Sequence, residues 1–300
     1  MKAVQRGLFS IQKRGLMTLR QTTTDVELNG FKISAVEDED QQAKDNNLLF
    51  LHGLLGQGRN WRSFALNDVI SAKRNVYLFD LRNHGESDHH RSMTYRELAE
   101  DVVRFADSKQ IDKFSLLGHN LGAKTAMTLS CLFPDRVKGL ISIDTSPKSF
   151  TGDKAQVKQT LDGLQKIKGL DIEGKTRKTA MDFIQKSFSD PGIANFVASN
   201  LVYDEANDRK FVKWCVNLDA IIGNIDQIVG FESSLTPYQG PALFINGGLS
   251  VKVDEAVYKA VFPQAKVITV EGAGHYVHTD KPKITIEAIA LFLESIEKAK

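Results

Sequence analysis

The chain has 300 residues, of which 42% are hydrophobic and 25% are charged, as is ordinary for a globular protein with a substantial core. Its 39 basic and 37 acidic residues nearly balance, which gives no reason to expect a nucleic-acid partner. No apolar run approaches the roughly 18 residues of a membrane-spanning helix, so we expect no transmembrane segment.

Residues 1–24 differ from the rest of the chain in charge. They contain no acidic residue but five basic ones, which are Lys2, Arg6, Lys13, Arg14 and Arg20. On a helical wheel the basic side chains lie opposite an arc of apolar ones. A basic, acid-free, amphipathic segment is typical of a mitochondrial presequence, which is cleaved or retained after import. A disordered basic tail or a surface helix is the alternative interpretation.

The body of the chain opens with a hairpin signal and continues with an alternation of strands and helices. Asn29 and Gly30 separate two short apolar runs at 26–28 and 31–36, a pattern that predicts a tight hairpin. Continuous apolar runs then predict strands covered on both faces, and helical spacing predicts crossover helices at 94–109 and 121–133. These strands are at 48–51, 76–79, 114–117, 140–143, 242–246 and 267–270.

This alternation predicts an α/β fold with a mostly parallel, doubly wound sheet, in which ligands bind at the carboxyl ends of the strands. Between about 148 and 237 the pattern changes to Lys-rich helical segments, including 175–188 and 208–222, without a convincing strand. We interpret this stretch as a helical cap inserted between a first core part at 25–147 and a second at 238–300. An amphipathic helix at 284–296 closes the chain.

The strand at 114–117 leads into the sequence GHNLG at 118–122 and then into a helical pattern. A strand, a tight turn and a helix are the context of the G-x-S-x-G nucleophile elbow, in which the central serine attacks the substrate. The glycines let strand and helix approach closely, and the central side chain lies over a pocket. Here the central residue is Asn120.

An asparagine preserves this turn but not its chemistry. The lone pair of an amide nitrogen is delocalised into the carbonyl group, so a histidine base does not convert it into a nucleophile. Asparagine is nevertheless one of the least strained non-glycine residues at positive φ. We therefore expect the turn to be retained and serine-type acyl transfer to be lost.

Two backbone N–H groups are the expected oxyanion donors of this pocket. The first belongs to Leu54 in the sequence HGLLG at 52–56, and the second to Leu121 at the start of the elbow helix. A simple strand-to-helix turn is the alternative for 52–56. The polar segment DLRNHGES at 80–87 is interpreted as a loop that braces the pocket without contacting substrate.

An acid and a histidine complete the candidate constellation. Asp144 ends the strand after the elbow helix, and His275 follows the last strand. A lone aspartate is more often a cap, and a lone histidine is more often structural. Their joint occurrence at matching strand ends predicts that both face the pocket at Asn120, in the chain order nucleophile, acid, histidine.

With these motifs the chain resembles the alpha/beta-hydrolase superfamily. Within it, the chain is similar to the small esterase branch that includes bacterial acyl esterases and the mitochondrial alpha/beta-hydrolase domain-containing protein eleven. The resemblance runs from about residue 47 to the C terminus. It rests on DLRNHGES at 80–87, KTAM at 124–127, NLD at 217–219, GGLS at 247–250 and GAGHYVH at 272–278.

The resemblance implies an alpha/beta-hydrolase fold, a small acyl ester or thioester ligand and a mitochondrial matrix setting. In this branch Ser250 occupies a strand end where many hydrolases place their acid. The implied partner of His275 is therefore Asp144 rather than Asp254, and Ser250 is assigned to the pocket. The chain departs from the branch at Asn120, and at Ala123, where glycine is usual.

Three hypotheses follow from Asn120. The first is a pseudoenzyme that serves as a structural or binding subunit of a mitochondrial complex. The second is an active hydrolase in which water, Ser250 or an aspartate formed by deamidation of Asn120 replaces the serine. The third is an engineered form of an active esterase, which the genomic codon at position 120 would distinguish from a natural asparagine.

Other classes of site are not indicated. His89 and His90 are adjacent, but no further histidine or carboxylate stands at ligand spacing from them, so we predict no metal site. The turns after the strands lack the G-x-G-x-x-G and P-loop patterns, so no nucleotide cofactor is implied.

Overall fold

The computed structural model of the protein describes residues 26–34, 45–204 and 210–298. The presequence prediction for 1–24 lies outside the described residues. In the described part, no helix combines the length and apolarity that crossing a bilayer requires. The strands are β1 Gly30–Ser34, β2 Asn47–Leu51, β3 Asn75–Phe79, β4 Phe114–His119, β5 Val137–Ile143, β6 Leu201–Tyr203, β7 Val212–Trp214, β8 Ala242–Gly247 and β9 Ala265–Val270.

Seven of these strands form one sheet in the order β1-β3-β2-β4-β5-β8-β9. β1 pairs antiparallel with β3, and every other pair in this sheet is parallel. The predicted doubly wound, mostly parallel sheet is confirmed. The helices are α1 Arg62–Ala65, α2 Asp68–Ser71, α3 Tyr95–Ser108, α4 Leu121–Leu132, α5 Lys154–Lys168, α6 Arg177–Ser187, α7 Pro191–Ala198, α8 Leu218–Gly223, α9 Ile225–Val229, α10 Glu255–Val261, α11 Val277–Asp280 and α12 Pro282–Glu297.

Alternate residues of the central strands pack into two separate apolar cores. Leu49 and Leu51 of β2 face the core that contains α3 and α4. Leu48 and Phe50 face the opposite core, which contains residues of α12. Because both faces are covered, the strands are apolar throughout rather than at every second position. This explains the continuous runs from which they were predicted.

The predicted N-terminal hairpin is wrong. Residues 26–29 are not a strand, and β1 pairs with β3 instead. The backbone N–H of Asn29 donates to Ser87 Oγ at 2.8 Å, and its carbonyl accepts from Asp80 N at 2.9 Å. These bonds to the loop after β3 replace those of a local hairpin. Asn29 and Gly30 are also absent from the positive-φ residues of the described chain, so the Asn-Gly turn does not form.

The segment between β5 and β8 contains α5 to α9, as its helical patterns predicted, but it also contains a small sheet. β6 and β7 pair antiparallel over three residues each. The helix predicted over 208–222 is therefore wrong in its first half, where Val212–Trp214 is extended. The helical part is α8, which begins after Asn217, whose side chain accepts from Ala220 N.

The approach of α4 to β2 leaves no room for a side chain at Gly122, because an added Cβ would lie 2.2 Å from the carbonyl oxygen of Leu51. We expect Gly122→Ala to lower the free energy of unfolding by at least about 2 kcal/mol, since overpacking a core commonly costs about 1–3 kcal/mol. Urea denaturation measures this loss.

Gly163→Ala in α5 is the matched control. An added Cβ at Gly163 meets nothing within 4 Å. Replacing an exposed helical glycine by alanine stabilises by about 0.5–1 kcal/mol. A Gly122→Ala protein as stable as the parent would contradict the close approach.

Candidate active site

The elbow predicted at 118–122 is present between β4 and α4. Asn120 has φ 52° and ψ −118°, outside the ordinary regions for a residue with a side chain. Gly118 and Gly122 allow this turn, since a Cβ at Gly118 would lie 2.5 Å from the carbonyl oxygen of Gly122. The backbone N–H of Asn120 donates to Thr145 Oγ1 at 2.9 Å, which fixes the turn from the neighbouring strand end.

The side-chain amide of Asn120 contacts one group that would serve the substrate carbonyl and one that would serve a serine nucleophile. Its Oδ1 accepts from the backbone N–H of Leu54 at 3.3 Å. Its Nδ2 lies 3.3 Å from His275 Nε2 and donates to it. The first is the predicted oxyanion donor and the second is the predicted base. The amide of Asn120 is therefore hydrogen-bonded to both the Leu54 N–H and the His275 ring.

Asp144 and His275 lie together at the strand ends, as predicted. His275 Nδ1 donates to Asp144 Oδ2 at 2.8 Å, which leaves Nε2 as the acceptor that faces Asn120. The Asp144 side chain is 6% exposed and that of His275 is 42% exposed. The carboxylate is therefore held inside the protein, and the imidazole is accessible from the cavity.

Ser250 supports the carboxylate of Asp144. Its Oγ donates to Asp144 Oδ2 at 2.8 Å, and the backbone N–H of Gly247 donates to Oδ1 at 2.8 Å. Asp254 instead caps α10, since its side chain accepts from Ala256 N. The structure thus pairs His275 with Asp144 and directs the Ser250 hydroxyl to the acid.

Two histidines that the sequence did not single out hold the loop that carries Leu54. His52 Nε2 accepts from Leu81 N at 2.9 Å, and His84 Nε2 accepts from Leu55 N at 3.1 Å. Their Nδ1 atoms donate to the carbonyls of Gly53 and Arg82. Both rings are therefore neutral. Burial lowers the pKa of His52 to about 4 and that of His84 to about 3.

The segment 80–87 braces the pocket from outside it. Asp80 accepts from the backbone N–H groups of Gly58 and Glu86, and buried Arg82 pairs with Asp101 of α3. None of these side chains lines the main cavity. Their backbone bonds fix the loop whose His84 contacts Leu55.

His119, immediately before the elbow, anchors the loop of His275. Its Nε2 donates to the carbonyl oxygen of His275 at 3.0 Å, and the two rings lie 4.5 Å apart. Burial lowers the pKa of His119 well below its ordinary value, so this ring is neutral. Together with Trp61 and Tyr276 it lines a side cavity of about 260 Å³ that meets Asn120.

The main cavity has a volume of about 480 Å³ and lies on the other side of Asn120. The predicted residues Leu54, Leu121 and Ser250 all line it, and Leu121 opens α4. Its wall is both polar and apolar, with residues from the loop after β5, from α5 and α9, and from the loop after β8. It also contains buried Lys124, whose place in the wall the KTAM motif did not reveal. Burial is a tertiary property, so the sequence carried no direct signal for it.

The other cluster weighed from the sequence does not form a site. His89 Nε2 lies 3.3 Å from the carbonyl oxygen of Cys215. In the described residues, no group of three or more His, Cys, Asp or Glu side chains is arranged to hold a metal ion.

A mostly parallel sheet whose strand ends bring an elbow, an acid and a histidine together defines the α/β-hydrolase class. The family model described as alpha/beta hydrolase fold matches residues 46–282. The chain belongs to this family.

The chain is similar to several esterases and lipases. It is 34% identical over 254 residues to the mouse protein named sn-1-specific diacylglycerol lipase ABHD11, covering 82% of this chain and 80% of the relative. It is 31% identical to esterase YbfF of Escherichia coli, over 84% and 94% of the two chains. A solved marine microorganism esterase superposes with a TM-score of 0.80 at 32% identity, over 89% of this chain and all of the other.

The neutral state of His84 predicts an acid-sensitive fold. In the unfolded chain its pKa is about 6.5, whereas in the fold burial lowers it to about 3. As pH falls, the unfolded state therefore binds the proton before the folded state does. The contribution of His84 to the free energy of unfolding is complete above pH 6.5 and is lost as pH falls toward 3. Between about pH 6 and pH 4 this single group contributes a slope of about 1.4 kcal/mol per pH unit.

We expect His84→Gln to remove most of that slope, because a glutamine does not titrate. Urea denaturation at a series of pH values measures the slope. The matched control is His89→Gln, since His89 is an exposed histidine on the same loop. An unchanged slope in His84→Gln would show that the buried ring is not kept neutral by the fold.

Proposed function

We propose that the protein is a ligand-binding member of the alpha/beta-hydrolase family that has lost serine-type acyl transfer. One observation carries this proposal: the Asn120 amide donates to His275 Nε2 and accepts from Leu54 N. An amide N–H is far too weak an acid for a histidine to deprotonate, so the base has no nucleophile to activate.

The remaining geometry supports binding. Asp144 and His275 retain the orientation that a hydrolase needs, and the cavity of about 480 Å³ beside Asn120 is of the size that small-molecule ligands fill. The relatives are named as a lipase and an esterase. The ligand class we propose is a small acyl ester or thioester, enclosed from one side by the inserted segment 148–237 acting as a cap.

A ligand carbonyl would need to displace one contact to enter the oxyanion site. The bond from Leu54 N to Asn120 Oδ1 is long at 3.3 Å, so its replacement by a ligand oxygen costs little. Rotation of the amide would free Leu54 N while Nδ2 stays close to the bound carbonyl. In this arrangement Asn120 is a hydrogen-bonding contact for the ligand.

The direct test is hydrolysis of short-chain p-nitrophenyl esters. We expect the protein to be silent and Asn120→Ser to gain activity by at least about 10²-fold, the scale of a positioned general base. The added change His275→Ala in the Asn120→Ser background should abolish the gain. Asn120→Ala is the control for an opened pocket without a nucleophile, and it should remain silent.

Turnover by the original protein at a rate near that of Asn120→Ser would contradict the proposal. It would favour the second candidate, in which His275 and Asp144 activate a water molecule. The observation in favour of this candidate is the intact bond between His275 and Asp144 at 2.8 Å. Ser250 is disfavoured as a substitute nucleophile because its hydroxyl donates to Asp144 rather than to His275.

We further propose a mitochondrial setting, in which the protein is a structural or binding subunit of a protein complex. The support is the basic, acid-free composition of residues 1–24 and the resemblance to a mitochondrial branch of the family. Import of the full chain into isolated mitochondria tests the setting, with a chain lacking residues 1–24 as control. Equal import of both chains would show that residues 1–24 do not act as a presequence. A strictly monomeric protein would contradict the proposed role as a subunit of a complex.

A further inference from the structure

A buried lysine lies in the wall of the main cavity. Lys124 follows Asn120 by one turn of α4, and its side chain is 5% exposed. Its Nζ donates to the carbonyl oxygens of Val229 at 3.0 Å and Gly230 at 2.7 Å, at the end of α9. It also lies 5.4 Å from the centre of the Phe150 ring, which lines the same cavity.

Within the described residues no carboxylate pairs with this lysine. In the described part of the chain Lys124 forms no ion pair. The acid that lines the cavity is Asp144, and its two oxygens already accept from His275, Ser250 and Gly247. Burial lowers the pKa of Lys124 to about 8, which leaves the amine protonated at neutral pH. Burying an ammonium group is costly unless an opposite charge accompanies it.

A purely structural role explains the position of Lys124 but not its charge. The two carbonyls accept from two of the three ammonium N–H groups. A lysine that caps the C-terminal end of a helix forms the same kind of bond. Carbonyl oxygens carry only partial charge, so they do not compensate the cation. Among the described residues Nζ donates to these two carbonyls alone, and Lys124 lines the cavity, so the third N–H is available to a ligand there.

A second cation lies beside the same aromatic ring. Lys148 Nζ lies 5.3 Å from the centre of the Phe150 ring, so two ammonium groups flank one aromatic side chain. Lys148 is exposed, whereas Lys124 is enclosed. Lys124 lines the cavity, so it is the cation that a ligand in the cavity would contact.

We propose that Lys124 recognises a carboxylate on the ligand, so that the ligand is a short acyl ester or thioester whose acyl chain ends in a carboxylate. This inference rests on the proposed ligand-binding function and specifies its ligand. Residues 120 and 124 are separated by about 6 Å along the axis of α4, at about 1.5 Å per residue. Leu54 and Lys124 line the same cavity of about 480 Å³, so one ligand could place a carbonyl at Leu54 and a carboxylate at Lys124.

Calorimetric titration of the full chain tests the proposal with two probes that differ in one charge. Monomethyl succinate carries a free carboxylate at the end of a short acyl chain, and dimethyl succinate has the same chain with that charge blocked. We expect monomethyl succinate to bind at least about tenfold more tightly at pH 7. In Lys124→Met this preference should fall to about one.

The two proposals fail in different ways. Equal affinity for both esters in the unmodified protein overturns the role of Lys124 and leaves the ligand-binding function standing. A preference that persists in folded Lys124→Met also overturns that role. Binding of neither ester overturns both proposals. Since the comparison in the unmodified protein needs no variant, the test holds even where Lys124→Met does not fold.

Discussion

The contact between α4 and the end of β2 is the constraint from which the site follows. Gly122 lies against the Leu51 carbonyl so closely that no side chain fits between them. This contact forces the chain between β4 and α4 into a turn with positive φ at Asn120, and it points that side chain toward the loop of Leu54. Both the oxyanion donor and the base are then within hydrogen-bond distance of one residue. The turn selects a residue that tolerates positive φ, and asparagine meets that condition.

The Asn120 side chain forms hydrogen bonds with groups that, in a serine hydrolase, interact with the nucleophile and the substrate. In a serine hydrolase the base accepts a proton from the nucleophile and the oxyanion donors wait for the substrate. Here the amide of Asn120 contacts the base and one of the two expected oxyanion donors, Leu54 N, while Gly247 and Ser250 hold Asp144. This geometry supports the proposed binding role. Lys124, which has no ion-pair partner among the described residues, supplies the positive charge that the proposed binding site would use.

The sequence predicted the sheet, the elbow and the positions of Asp144 and His275 because these features leave local signals. Buried strands are apolar throughout, and the strand-to-helix turn has its own glycine spacing. The hairpin at Asn29 failed because bonds to residues some sixty positions later outweighed a local turn preference. The braces at His52 and His84, and the burial of Lys124, arise only when distant segments meet. The roles of His52, His84 and Lys124 each depend on one residue, and one residue forms no periodic pattern in the sequence.

If Asn120 leaves the site without a nucleophile although the base and acid are in place, the cavity contains no activated serine. Intact-protein mass spectrometry after incubation with a fluorophosphonate, which forms a stable adduct with an activated serine, measures this. We expect no adduct on the protein and one adduct on Asn120→Ser, located at position 120. An adduct on the unmodified protein, mapped to Ser250 or to any other residue of the cavity, would show that the site does contain an activated nucleophile.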